Sequence, residues 1–209
     1  MRARPAGVCM KEFDWSVYYA GTSRTKAHDT VQQAVAAHIG ERLCAVDLGC
    51  GQGADSKYLL AEGWPQVLAM DATDEVRAHF AADPVLAQAM KQGQLEVQIC
   101  RFEDFVWPQQ SVDLVNASLS LPFCAPDKFA AVWAAIGAHI KEGGVFAGHL
   151  FGPRDSWAQR LGMTFHTEAA VHALFDGWKS LELREQEDDR PSVGGPMKHW
   201  HIWHIVAQR

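Results

Sequence analysis

The segment Val46-Asp47-Leu48-Gly49-Cys50-Gly51-Gln52-Gly53-Ala54 constrains this chain more than any other. It joins a short apolar run, Leu43–Leu48, to a stretch with helical character, Ala54–Ala61, that stops at Gly63. Glycines at alternate positions allow a tight turn and let a ligand approach the backbone amides closely. The helix start behind them favours a carboxylate or a phosphate.

The rest of the chain repeats this rhythm. Gln66–Asp71 reads as a strand and Asp74–Ala82 as a helix; Leu95–Cys100 and Val112–Ser118 read as strands. Asp127–Ile140 spaces Phe129, Val132, Trp133, Ile136 and Ile140 as one helical face. Lys141-Glu142-Gly143-Gly144 reads as a turn into a strand ending at Phe151, and Thr167 is placed to cap a helix to Phe175. Ahead of the glycine loop, Asp29–Ile39 puts Val31, Val35, His38 and Ile39 on one face, with Asp29 or Thr30 as the N-cap. This order predicts a doubly wound α/β fold, with a mostly parallel sheet covered on both faces. The last two runs, Trp178–Asp188 and Lys198–Gln208, leave no room for a helix between them. They are expected to pair as an antiparallel C-terminal hairpin.

Composition narrows the class. The chain has 209 residues, within the roughly 100–200 expected of one domain. A net charge of −6 and no basic run longer than two argue against nucleic acid or an anionic membrane as partner. The five cysteines never fall as C-x-x-C, so a disulfide scaffold or zinc ribbon is not expected, and free thiols suit a reducing cytoplasm. Met1–Lys11 lacks the apolar stretch of a secretory leader, and no apolar run approaches the length of a membrane span. Two strand histidines at i, i+2 near the end make a weak metal case, and no metal is expected.

Gly49-x-Gly51-x-x-Ala54 also fits a dinucleotide fingerprint. Asp71 ends the second strand 20 residues after Gly51, where a carboxylate can accept from both hydroxyls of a ribose. That serves NAD and S-adenosylmethionine equally. Other features separate them: Asp47 two residues before the first glycine, Phe102-Glu103-Asp104-Phe105 after the third strand, the Lys141–Gly144 turn and the terminal hairpin. Together these resemble the class I S-adenosylmethionine-dependent methyltransferases, over about Phe13–Arg209. The resemblance implies a Rossmann-like sheet of seven strands over residues 43–209, with residues 1–42 as a helical lid segment, all in a single domain. It implies that Gly49, Cys50, Gly51 and Gly53, with Asp47, form the methionine end of the cofactor site. Asp71 would bind the ribose, Ala72 would flank the adenine, and Ser118 would complete the site. One of Phe102, Glu103 or Asp104 would meet the adenine.

On the acceptor side, Asn116-Ala117-Ser118-Leu119 stands where many amide and base N-methyltransferases carry Asn/Asp-Pro-Pro-aromatic. That departure points to a small-molecule acceptor. Trp15-x-x-Tyr18-Tyr19, His149-Leu150-Phe151-Gly152-Pro153-Arg154-Asp155-Ser156-Trp157 and Lys198-His199-Trp200-His201 resemble small-molecule methyltransferases of the tellurite-resistance type. By that resemblance Tyr18, Tyr19, Ser120, Phe123, Arg154 and Trp157 are the acceptor-side candidates. His149 is the candidate general base, needed only where the acceptor loses a proton early. Two other readings use the same loop: an NAD-dependent oxidoreductase, and a non-catalytic module that binds or senses S-adenosylmethionine.

Overall fold

A computed structural model describes residues 15–21, 26–193 and 195–209. The Met1–Lys11 segment, Phe13 and Gly194 of the hairpin turn lie outside the described residues. Seven strands form one sheet: β1 (Cys44–Leu48), β2 (Gln66–Asp71), β3 (Leu95–Ile99), β4 (Val112–Ala117), β5 (Ile140–Phe151), β6 (Ser180–Pro191) and β7 (Met197–Gln208). Their order across the sheet is β3-β2-β1-β4-β5-β7-β6. The first five run parallel, while β7 pairs antiparallel with both β5 and β6. The expected hairpin is thus present, with its second strand inserted between β5 and the edge strand β6.

The helices are α1 (Trp15–Gly21), α2 (Asp29–Ala37), α3 (Ala54–Ala61), α4 (Glu75–Ala82), α5 (Pro84–Lys91), α6 (Pro126–His139) and α7 (Glu168–Leu174). They cover both faces, because alternate strand residues are apolar in both directions. On one face Val31, Leu59, Phe80 and Leu86 of α2–α5 pack with Ala45, Val67 and Leu114. On the other, Phe129, Val132 and Ile136 of α6 and Val171 of α7 pack with Val46, Leu68 and Val115.

Four local readings change. α5 was not expected, although Asp83-Pro84 signals it: the Asp83 side chain accepts from the backbone N–H of Val85 and Leu86, and Pro84 opens the helix. α2 is capped by His28, not by Asp29 or Thr30. That helix ends at Ala37, which leaves Ile39 exposed rather than on the buried face. Lastly, β5 begins at Ile140, so the Lys141–Gly144 turn lies inside the strand. Val112 pairs with Ile140 but Leu114 pairs with Val145, and the intervening residues bulge out.

Candidate cofactor site

The loop after β1 is held open by backbone that only glycine takes without strain. Gly49 has φ 75°, and a Cβ there would lie 2.3 Å from the Cβ of Ser120. Gly53 has φ 80° and starts α3; its Cβ would meet Leu86 and Phe80 at 2.6 and 2.9 Å. These two glycines therefore serve packing. Gly51 differs: among the described residues a Cβ there would meet just the Tyr19 ring, at 3.8 Å, so its face is open. The loop is anchored from β2, where the Met70 carbonyl accepts from the N–H groups of Gly49 and Cys50.

Asp71 sits half-buried at the end of β2 with its carboxylate fixed beside this loop. Oδ2 accepts from Gly51 N–H at 3.0 Å; Oδ1 accepts from the Thr73 N–H and hydroxyl, each at 3.1 Å. A carboxylate offers about four lone-pair sites, so acceptor capacity remains for a ligand.

Beneath the loop lies a buried polar network. Sheet register sets Asn116 of β4 opposite Asp47 of β1. Asn116 Nδ2 donates to Asp47 Oδ1 at 2.8 Å and to Asp55 Oδ2 at 3.0 Å, and its Oδ1 accepts from Ser118 Oγ at 2.9 Å. Asp47 also accepts from Ser56 Oγ at 2.6 Å. Asp55, in the first turn of α3, accepts from His28 N–H at 2.8 Å and from His28 Nδ1 at 2.9 Å. The two carboxyls part company. Burial, then the Asp55 charge, pushes Asp47 up to about 7, while contact with His28 holds Asp55 down to about 2 against its own desolvation.

A cleft opens at this point, beyond the carboxyl ends of the parallel strands, where open α/β sheets bind ligands. Tyr18 and His28 form one side; Gly49, Cys50 and Gln52 of the loop, the α3 start at Ala54 and Asp55, and Ser118 form the rest. A second hollow, around Gln66, Gln98 and Trp107, shares no lining residue with this cleft and includes the amino end of β2. Cys50 is buried, and burial with the Asp47 and Asp71 charges pushes its thiol well up, so it is no nucleophile.

The remaining expected residues divide. Tyr18 lines the cleft, whereas Tyr19 is buried behind Gly51, with its hydroxyl 3.2 Å from Thr73 Oγ1, to which it donates because the Thr73 proton is given to Asp71. Burial and then Asp71 raise the Tyr19 pKa, which keeps the phenol neutral. Ala72, Glu103 and Asp104 are exposed, and Phe102 packs against the core. Ser120 is turned inward: its Oγ donates to the Leu48 carbonyl, so it buttresses the loop instead of facing an acceptor. Phe123 joins an aromatic wall, with ring centroids 4.8 Å from Trp15 and 6.3 Å from Trp157.

Two expectations are redirected. Arg154 is ion-paired with Glu187 and Glu185 on the hairpin and does not line the cleft. His149 is engaged on both sides of its ring. Leu119 N–H donates to Nδ1 at 3.2 Å, which makes Nε2 the protonated nitrogen; it donates to His204 Nδ1 at 3.0 Å, and His204 Nε2 donates to Gln186 Oε1 at 2.7 Å. That hydrogen-bond chain commits His149 to structure and supports the left-handed backbone of Leu119 (φ 54°). Sequence reasoning passed over His28, Asp55 and Asn116. Asp55 directly follows the glycine loop, a position that signals a site; Asn116 and His28 carry no signal until the sheet and α2 are placed.

The S-adenosylmethionine expectation fits these residues: the Gly51 face is open, and Asp71 is fixed next to it with acceptor capacity to spare. Comparison with known proteins agrees. The profile of the family described as "Methyltransferase domain" matches residues 45–144. No curated protein matches the chain by sequence. Among solved structures, TehB from Haemophilus influenzae superposes with TM-score 0.69 at 17% identity, covering 88% of this chain and 62% of that one. The chain therefore spans under two thirds of TehB. The Burkholderia thailandensis 1,6-didemethyltoxoflavin-N1-methyltransferase, solved with 1,6-didemethyltoxoflavin and S-adenosylhomocysteine, gives TM-score 0.58 at 24% identity, with 87% and 78% covered. An S-adenosylmethionine-dependent methyltransferase from Mesorhizobium loti gives 0.58 at 17% identity, with 85% and 96% covered. Over residues 45–144 the chain thus matches the profile of the methyltransferase-domain family, and its fold is similar to that of S-adenosylmethionine-dependent methyltransferases.

Proposed function

We propose that the chain transfers a methyl group from S-adenosylmethionine to a small-molecule acceptor by in-line displacement and releases S-adenosylhomocysteine. The observation that carries this reading is the Asp71 carboxylate, fixed by Gly51 and Thr73 beside the open face of the glycine loop. The sulfonium brings an already activated methyl group, so the protein's share is placement and exclusion of water. Gly51 and Asp71 hold the nucleoside, Tyr18 closes over it, and the Trp15, Phe123 and Trp157 rings wall the acceptor side. A flat or apolar small molecule suits that wall. The acid balance of the chain and the small molecule bound in the Burkholderia enzyme support the same reading.

The acceptor's proton, where it has one, leaves without help from His149, because both ring nitrogens of that residue are engaged. The described cysteines are free, and no described helix is long and apolar enough to cross a membrane. We read the chain as a single domain acting in the cytoplasm, with α1, which carries Tyr18, beside the cleft as its lid and α2 packed on the sheet. Isothermal titration tests the reading: S-adenosylhomocysteine binds and NAD gives no heat. NAD binding without S-adenosylhomocysteine binding overturns it, and cofactor binding without turnover over many acceptors leaves a binding module.

A further inference from the structure

We propose that His149 is a positioning residue for the cofactor loop: by accepting the Leu119 N–H it holds the left-handed turn that sets Ser120 against Gly49 and Ser118 at the cleft. This rests on the S-adenosylmethionine reading above. Among the described residues Leu119 stands alone as a non-glycine residue with positive φ, 54°. An L side chain takes that conformation only at a cost, so its surroundings must hold it. The holder is Nδ1 of the buried His149, 3.2 Å from the Leu119 nitrogen. The turn has a residue of the cofactor site on each side. Ser118, bonded to Asn116, lines the cleft. Ser120 donates to the Leu48 carbonyl, and its Cβ lies where a Cβ on Gly49 would come within 2.3 Å of it. A Leu119 relaxed to a right-handed conformation would turn both serines, and the glycine loop would lose its buttress.

His149 is itself aimed from the far edge of the sheet. Strand register sets His149 of β5 opposite His204 of β7, and His204 opposite Arg184 of β6. His149 Nε2–H donates to His204 Nδ1 at 3.0 Å, and His204 Nε2–H donates to Gln186 Oε1 at 2.7 Å. The chain therefore runs from the edge strand to the loop after β4 with one proton on each ring. Only that tautomer of His149 leaves Nδ1 able to accept from Leu119. A third proton on the pair would end at His149 Nδ1 and face the Leu119 N–H, donor against donor. Burial, then Arg184 and Arg190 of β6, lowers His204 to about 4, with Asp29 of α2 opposing and His28 adding to the effect. That further proton thus stays off His204 at neutral pH.

The test is a double-mutant cycle on the whole chain, read by titration with S-adenosylhomocysteine. His149→Leu removes the acceptor, whereas Leu119→Gly supplies a residue that adopts positive φ freely and needs no holder. With Leu119 in place, His149→Leu is expected to lose at least about fivefold in affinity. In the Leu119→Gly background the same substitution should cost less than about twofold, a rescue that lost packing at His149 would not give. Unchanged affinity in His149→Leu overturns the proposal. Equal loss in both backgrounds also overturns it, since His149 would then act only on the fold. Where His149→Leu does not fold, His204→Phe carries the same cycle: it leaves the acceptor in place but unanchored, and should lose about threefold with Leu119 and nothing with glycine. Hydrogen exchange at the Leu119 amide, faster than wild type in either histidine variant, reads the contact without cofactor; unchanged exchange overturns the hold itself. Wild-type chain that binds no S-adenosylhomocysteine overturns the cofactor reading, and this role of His149 with it.

Discussion

The two ends of the sheet handle polar side chains in opposite ways. At the glycine-loop end, His28 and Ser118 are fixed by neighbours yet still border a cleft, and Asp71 is fixed next to it by Gly51. At the hairpin end, polar groups are consumed internally. The Lys198 ammonium is buried against both oxygens of Asp155 and lies 3.6 Å from the Trp200 ring centroid, with Trp157 at 4.5 Å and Phe151 at 5.1 Å. His149 and His204 bond each other, and Arg154 is taken up by Glu185 and Glu187. Similar residue types thus border a cleft at one end and act as internal fastening at the other. The difference is whether the polar groups face a cleft or one another.

The sharpest test breaks the fastening. Asp155→Ala strands a buried ammonium and is expected to cost about 3–5 kcal/mol in urea unfolding; Lys198→Met leaves the Asp155 carboxylate buried, but that group still accepts from the N–H groups of Trp157 and His201, so it costs less. Gly49→Ala tests the loop. Its left-handed backbone and the Ser120 contact together should cost about 2–4 kcal/mol, whereas Gly51→Ala, with φ 52° but no backbone or core atom in its way, should carry the backbone strain alone, about 1–2 kcal/mol, and a larger loss of cofactor affinity.

A pH measurement comes next. Burial, then Arg184 and Arg190, lowers His204 to about 4 from the usual 6.5. The unfolded chain therefore binds the proton first, and the stability contribution, complete above about 6.5, is lost as pH falls toward 4. Allowing for partial exposure, the loss is on the order of 2 kcal/mol. Asp47, raised to about 7, acts with opposite sign, since the folded state holds its proton and stability falls as pH rises through that range. Subtracting the unfolding profile of His204→Phe from that of wild type isolates the histidine limb.

Asp71→Ala is smaller again in energy. Folding is expected to survive, and S-adenosylhomocysteine affinity in titration should drop about tenfold, or roughly 1.4 kcal/mol. Arg154→Ala, on an exposed ion-pair cluster, should change neither the melting temperature nor cofactor binding measurably. A clear loss of acceptor turnover in that variant would return Arg154 to the acceptor side.

The two ends also differ in how far the sequence discloses them. Glycine spacing, the strand-terminal Asp71 and the apolar periodicities are local signals, and the strands, the hairpin and the position of the loop follow from them. α5 was legible too, since Asp83-Pro84 is a cap followed by a first-turn proline; it was missed because a single helix suffices between two parallel strands. The bulge after Ile140 was not legible. Two glycines announce a turn there, and only pairing with β4 shows that the strand resumes.

What the sequence determined by itself is the α/β class, the antiparallel end, the glycine loop and the acid that ends β2 beside it. Each depends on backbone conformation and on neighbours within a few residues. Tertiary structure decided which polar residues remain on offer. Asp47 meets Asn116 only because β1 lies beside β4, and His28 reaches Asp55 across 27 residues. Lys198 is buried and His149 occupied because β7 inserts next to β5. Hydrogen-bond satisfaction is a property of contacts distant along the chain, and no local pattern records it.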